Sequence, residues 1–336
     1  MASNNPIVSQ LAREALKAFP KQATNAIARG LFAKFPGVFH SVEHARTAVR
    51  RHRGAQGANG AKNPVAKRTK AESTQARDWA SLLPKPQEAG WKWHELPTDV
   101  SRWLILADLH VPYHDVEFLR TALAHADGNC DGVLLLGDVL DCYQASSFCK
   151  DPRKVPIARE IDDARRLLDA LALIDGVKRI VYKGGNHELR LEHYIWQHAP
   201  AICDVPGVTL QSWCELERRG VVWIPCQEPI RHHQLAILHG HEQGNRFSSP
   251  VNPARGLFLR MIECCLAGHE HRSSSHTETT LLGTVIATWS VGCGCNLHPE
   301  YRPLGHKWNH GFTYLRSGSE WEIENWKILD GKPKLC

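Results

Sequence analysis

The 336-residue chain contains no run of 18 or more apolar residues, which argues against a hydrophobic membrane-spanning helix. Its first ten residues, Met1 to Gln10, lack a charged segment followed by an apolar one, so no secretory leader is expected. Eleven cysteines include no CxxC pair. That odd, scattered count reads as reduced thiols, and together with the missing leader it predicts a soluble, cytoplasmic protein. Internal repeats and low-complexity tracts are absent as well. What is there, 43% apolar and 23% charged residues, is ordinary globular composition, and the length suits one large domain or two small ones.

Acidic residues are scarce at the amino-terminal end. Residues 1–78 hold 14 Lys/Arg against 4 Asp/Glu, while the other 258 residues hold 27 against 31. A basic arm on a mildly acidic body points to an anionic partner, most simply DNA or RNA; a solubilising tail is the plainer alternative. Residues 1–53 read as a helical basic module. Ile7, Leu11 and Ala15, then Ile27 and Leu31, then Val42, Ala45 and Val49 recur at helical spacing. Breakers at Phe19-Pro20 and Phe35-Pro36-Gly37 divide three helices, with Ser41 as N-cap of the third, a length that suits a helix-turn-helix type of unit. Arg46, Arg50 and Arg53 fall on one face of that third helix. They are candidates for contacting phosphates, or else cations favourably placed at a helix C-terminus. Residues 54–99, with Gly54, Gly57, Gly60 and Pro64, read as a flexible basic linker and lead-in to a third segment, 100–336.

From about residue 100, short apolar strands alternate with helices. Strands are expected at 103–107 (WLILA), 132–136 (GVLLL) and 179–183 (RIVYK), and helices at 116–126, 157–174 and 189–198. That alternation predicts βαβ units in an α/β sheet. After Val221, the segments VVWI, QLAIL, TTLLG, TVIATW and GFTYL suggest a second set of strands. Because the alternation breaks down after three units, an α/β sandwich fits better than a barrel.

Each strand is followed at once by residue types that hold metals. Asp108-Leu109-His110 follows the first; Gly137-Asp138 and then Asp141 follow the second. Gly185-Asn186-His187-Glu188 follows the third, His239-Gly240-His241 follows QLAIL, and Gly268-His269-Glu270-His271 follows Cys265-Leu266-Ala267. Ligands of open α/β sheets bind beyond the carboxyl ends of strands, where these blocks would converge. Carboxylate, imidazole and amide oxygen suit borderline divalent metals. A lone histidine at a strand end is usually a satisfied polar residue. Five such blocks in this order read as a site.

The order DxH, GDxxD, GNHE, H and GHxH resembles the calcineurin-like metallophosphoesterase superfamily, over roughly residues 100–330. The layout, a helical region ahead of the stretch LHVPYHD at 109–115, also looks like metallophosphoesterases of bacteriophage genomes. The resemblance implies a sandwich of two mixed β-sheets flanked by helices, here preceded by the small all-α module. It implies two divalent metal ions, manganese foremost, with iron, zinc or nickel as alternatives. Asp108, His110 and His271 would hold one ion, Asn186, His239 and His269 the other, and Asp138 would bridge them. Such a pair acidifies a bridging water, which then attacks phosphorus in line. His187 would act as general acid, with Asp141 as the carboxylate that keeps its imidazolium populated; Asp141 as a mere helix-terminal acid is the alternative. Arg190, three residues beyond His187, would clamp a phosphate oxygen or else form a surface ion pair. Glu188 reads as an acceptor orienting a ligand or as an exposed first-turn acid. His241 reads as a neighbour supporting the ligand His239 or as a substrate contact, and Cys293-Gly-Cys295, lacking a second pair, as strand packing.

The substrate is less legible. The protein Ser/Thr phosphatase branch reads GDxxDRG, but Cys142 and Tyr143 follow Asp141 here. The nuclease branch usually carries GNHD, and this chain carries GNHE. The first expectation is a phosphodiesterase or nuclease acting on nucleic acid or nucleotides. A phosphomonoesterase acting on a phosphoprotein or small ester is the second, and a nucleic-acid-binding protein with a residual phosphoesterase scaffold is the third.

Overall fold

The computed structural model describes residues 5–54, 83–85, 87, 92–244, 251–318 and 320–336. Two units separate along the chain, 1–88 and 89–336. The first unit holds helices α1 (Pro6–Ala18), α2 (Thr24–Lys34) and α3 (Val42–His52), of which α1 and α3 start at residues whose side chains cap them. Asn5 Oδ1 accepts from Ile7 N (3.1 Å), and Ser41 Oγ accepts from His44 N (3.1 Å). Ala12, Leu16, Ala28, Phe39, Ala45 and Val49 are fully buried in a core of the module's own. Arg53 donates to Thr24 Oγ1 (2.9 Å) and to the carbonyls of Pro20 and Gln22, pinning the end of α3 to the α1–α2 connection. Arg46 pairs with Glu43 (2.8 Å). Arg46, Arg50 and Arg53 line a cavity of about 330 Å³ beside Ala23–Asn25. Most of the linker expected over 54–99 lies outside the described residues.

The second unit is built on two mixed sheets. Its strands are β1 (His94–Glu95), β2 (Arg102–Leu106), β3 (Gly132–Leu136), β4 (Arg179–Lys183), β5 (Val221–Ile224), β6 (Ile230–His232) and β7 (Leu235–Leu238). β8 (Cys265–Ala267), β9 (Ser274–Thr279), β10 (Val285–Ser290), β11 (Gly311–Arg316), β12 (Glu322–Leu329) and β13 (Lys332–Leu335) complete them. One sheet has the order β13-β12-β11-β2-β3-β4-β5, the other β1-β6-β7-β8-β10-β9. Strands β2 to β5 run parallel, with Leu106 opposite Leu135 and Leu136 opposite Lys183. Helices α4 (Val116–Ala126), α5 (Ile157–Leu171), α6 (Asn186–His198), the short α7 (Leu210–Trp213) and α8 (Pro253–Met261) flank the sheets.

Why β3, and β2 beyond Arg102, are apolar follows from the two cores. Side chains alternate across a strand, so Leu104 and Leu106 join Val133, Leu135, Phe118, Ala122 and Leu168 on the helix side. Trp103, Ile105, Leu134 and Leu136 meet Ile230, Leu235, Ile237 and Leu266 of the other sheet. A strand covered on both faces reads as a continuous hydrophobic run.

Three segments differ from the sequence expectation. The helix expected from 189 starts at Asn186, so GNHE is its first turn rather than a lead-in. TTLLG is no strand: Gly283 N bonds Thr280 O in the turn joining β9 to β10, and Leu281 and Leu282 are exposed. The strand is instead the preceding polar SSHTET, an edge strand with little apolar signal. The two-residue β1, from the expected lead-in, pairs in parallel with β6. Among the described residues, no helix is long and apolar enough to cross a membrane.

Candidate metal centre

The carboxyl ends of five strands from both sheets meet. Asp108 and His110 follow β2, Asp138 and Asp141 follow β3, and Asn186 opens α6 just after β4. His239 follows β7, and His269 and His271 follow β8. Ten described non-glycine residues have positive φ, and Asp108, His110, Asp138, His269 and His271 are half of them, at 50–68°. Backbone held in that sparsely populated region clusters at functional sites. Two glycines make room: a Cβ on Gly137 (φ +82°) would collide with His239 Nδ1, and one on Gly185 with Asp138 Oδ1.

The donor atoms converge. His110 Nε2 and His271 Nε2 lie 3.3 Å apart, and His271 Nε2 lies 3.3 Å from Asp108 Oδ1. Asp138 Oδ2 is 3.9 Å from His110 Nε2 and 3.3 Å from His239 Nε2, while Asn186 Oδ1 is 3.1 Å from the same His239 nitrogen. Two groups of possible metal donors therefore share Asp138: Asp108, His110 and Asp138 on one side, Asp138, His239 and His269 on the other.

Behind this cluster stand residues that orient it. His239 Nδ1 meets Leu136 O (2.8 Å) and His110 Nδ1 meets Asp141 Oδ1 (3.0 Å), which leaves both Nε2 atoms facing inward. Glu188 is buried and accepts five hydrogen bonds, from the N–H groups of Asp138, Val139, Leu140 and Gly185 and from Tyr182 Oη, at 2.7–3.1 Å. Of its two sequence readings, the orienting one describes this arrangement. It fixes the turn that carries Asp138. His187 Nδ1 lies 2.6 Å from Asp141 O and 3.4 Å from Asp141 Oδ1, and His187 Nε2 lies 3.1 Å from Arg190 Nη2. The Asp141 carboxylate is thus shared between His110 and His187. Arg190 lies against His187 and also donates to Asp141 O (3.3 Å). Arg46, Arg50 and Arg53 belong to the amino-terminal unit described above.

Sequence reasoning missed two features. Fully buried Lys183 pairs with Glu242 (2.9 Å), whose carboxylate accepts from the N–H groups of His239 (3.2 Å) and Gly240 (2.7 Å). The only signal was a lysine closing a buried strand. Cys295, read as packing, places Sγ 3.6 Å from His271 Nδ1 and groups with His110 and His271.

Charge inside the cluster overrides burial. Burial would raise Asp138, but His239, His187 and His110 hold it well below the usual carboxylate range; His271 and His239 likewise lower Asp108. Burial would lower the histidines, yet Asp138 and Asp108 lift His239 to about 10, Asp141 lifts His110 to about 9, and Asp108 lifts His271 well above its ordinary value. His269 and His241 go the other way, each to about 4, because burial dominates. A hydrogen bond from Cys293, with His271 and His110 nearby, draws the Cys295 thiol down to about 4 against its burial.

These residues fit divalent cations. Asp108 Oδ1 is buried without a hydrogen-bond partner although two imidazole nitrogens lie within 4.0 Å, an arrangement costly for a carboxylate unless a cation completes it. No protein-family model matches the chain, and no curated protein matches it. Among solved structures, Vps29 of Chaetomium thermophilum, complexed with a cyclic peptide, is similar over 70% of this chain and 94% of that one. Its identity is 11% and the TM-score 0.36. The chemistry of the centre is therefore read from its own residues.

Proposed function

We propose that the chain is a dinuclear-metal phosphoesterase, a phosphodiesterase or nuclease acting on nucleic acid or nucleotides. The observation that carries this is the pair of donor groups sharing Asp138 beside the unpartnered Asp108 oxygen. Asp108, His110 and His271 would hold one divalent ion, Asn186, His239 and His269 the other, and Asp138 both; manganese suits the oxygen and nitrogen donors, as do iron, zinc or nickel. The ions would supply positive charge to the phosphoryl oxygens and acidify the attacking water.

The chain's own residues do the rest. A guanidinium only donates, so His187 Nε2 accepts from Arg190, and Nδ1–H donates to Asp141 O. When a phosphoryl oxygen takes the Arg190 N–H, Nε2 is free to take a proton from water and pass it to the leaving oxygen. Asp141 Oδ1 faces the same ring at 3.4 Å. Arg190 also favours the second reading, a phosphomonoesterase, because a forked donor matches the terminal oxygens of a monoester. The basic amino-terminal unit would add affinity for DNA or RNA.

Hydrolysis of bis-p-nitrophenyl phosphate against p-nitrophenyl phosphate, with manganese, separates diesterase from monoesterase. Elemental analysis of the loaded protein should give about two metals per chain. Metal content near zero, with no hydrolysis under any divalent ion, overturns the proposal.

A further inference from the structure

Next to the donor cluster lies a cavity of about 340 Å³, onto which His110 and Asp141 open. Its walls are aromatic and come from two stretches of chain. Tyr113 and Tyr143 lie edge to face, ring centroids 6.4 Å apart, and Tyr301 and Trp308 do the same at 6.5 Å. Trp308 also packs on His271, centroids 4.3 Å apart, so the indole spans the cavity wall and the donor cluster. Lys154 Nζ pairs with Glu300 Oε2 (2.6 Å), and both line the cavity, tying the stretch after Tyr143 to the stretch carrying Tyr301. Asn296 adds a carboxamide to the same lining.

We propose that this cavity seats a nucleobase, so that the substrate is a single-nucleotide-sized ester, a nucleoside phosphate or its diester. The inference rests on the phosphoesterase reading above. Four aromatic rings offer π faces and edges to a planar heterocycle, and stacking on such rings holds any base without reading its sequence. The carboxamide nitrogen of Asn296, whose oxygen accepts from His298 N (2.9 Å), supplies a donor for a base edge. The volume lies at the low end of the roughly 300–1,000 Å³ of small-molecule sites, room for one nucleoside rather than a duplex or a folded phosphoprotein loop. Hydrolysis is unchanged in its balance: the water oxygen bonds to phosphorus, the ester P–O bond breaks, and the alcohol leaves with a proton.

Two diesters with the same leaving group test this: thymidine 5′-(p-nitrophenyl) phosphate and methyl p-nitrophenyl phosphate, given to the manganese-loaded full chain. The kcat/KM of the thymidine ester should exceed that of the methyl ester by roughly 5- to 150-fold, the equivalent of about 1–3 kcal/mol of stacking. Tyr301→Ala, which spares His271, and Trp308→Ala should each shrink that ratio. Calorimetry should show adenosine binding to the parent and weakened binding to both variants. If both esters are cleaved equally and neither variant alters the ratio, the base cavity is overturned while the phosphoesterase reading stands. If no ester is cleaved under any divalent ion, the phosphoesterase reading falls, and absence of adenosine binding then removes the cavity proposal too.

Discussion

Filling the centre with metal should expel protons, and the ring contacts give their number. Both nitrogens of His239 face oxygen acceptors, Leu136 O on one side and Asn186 Oδ1 and Asp138 Oδ2 on the other, so the metal-free ring is an imidazolium at neutral pH. His110 and His271 are both lifted by carboxylates, but their Nε2 atoms are 3.3 Å apart and share one proton. His269, lowered to about 4, has no proton to give. Metals bind neutral imidazole, so about two protons per chain should be released at pH 7, and the combined affinity for two ions should rise ~100-fold per pH unit between about pH 6 and 8. Titration calorimetry in buffers of different ionisation enthalpy reads the proton number directly. His239→Gln should lower it by one. A release below about half a proton, or an affinity indifferent to pH over that window, would refute the charge assignment. The sign for stability follows from the same shift. Raised histidine values stabilise the metal-free fold fully below their unfolded value near 6.5 and lose that contribution as pH rises toward about 10.

Asp138→Ala should leave the protein nearly metal-free and inactive, while His187→Ala should keep its metals and slow esters with poor leaving groups by ~10²–10⁴-fold, activated aryl esters less; equal losses on both count against the general acid. Glu188→Ala strands five buried donors and should destabilise the fold by at least ~3 kcal/mol in urea titrations. Cys295→Ala should weaken metal binding by ~10–100-fold in chelator competition, as loss of a group orienting a ligand does; parent-like affinity would show that the sulfur does not orient His271. Replacing Arg46 and Arg50, and sparing Arg53 because it pins the module, should flatten the salt dependence of DNA binding by ~1–2 units. Absence of binding by the parent at low salt, or parent-like binding by the variant, would remove that face from the account.

What the sequence exposed and what it hid have physical causes. Strands β3 and β4 were legible to the residue because burial on both faces leaves them runs of large, mostly apolar side chains, Val133–Leu136 and Ile180–Tyr182, and the donor blocks were legible because each follows such a strand directly. The start of α6 was not: its N-terminus is marked by contacts seen in the structure, Gly185 N to the Glu188 carboxylate and Leu189 N to Gly185 O. Polar β9 gave no alternation to detect. Partners brought together from far apart along the chain, such as Lys183 with Glu242 or Trp308 with His271, leave no periodic trace at all.

The division of donors between the sheets bears on how the protein assembles. Asp108, His110, Asp138 and Asn186 follow strands of the seven-stranded sheet, and His239, His269 and His271 follow strands of the six-stranded one. Each ion of the proposed pair would therefore be gripped from both sides, like a rivet through two plates. A folding intermediate with only one sheet formed offers neither ion a complete set of ligands. Metal capture would then be a checkpoint on finished assembly, each ion at 100 times its dissociation constant favouring the docked state by about 2.7 kcal/mol. Chelation should accordingly loosen the seam between the sheets, seen as faster amide exchange at Trp103, Ile105 and Ile237 than in α4.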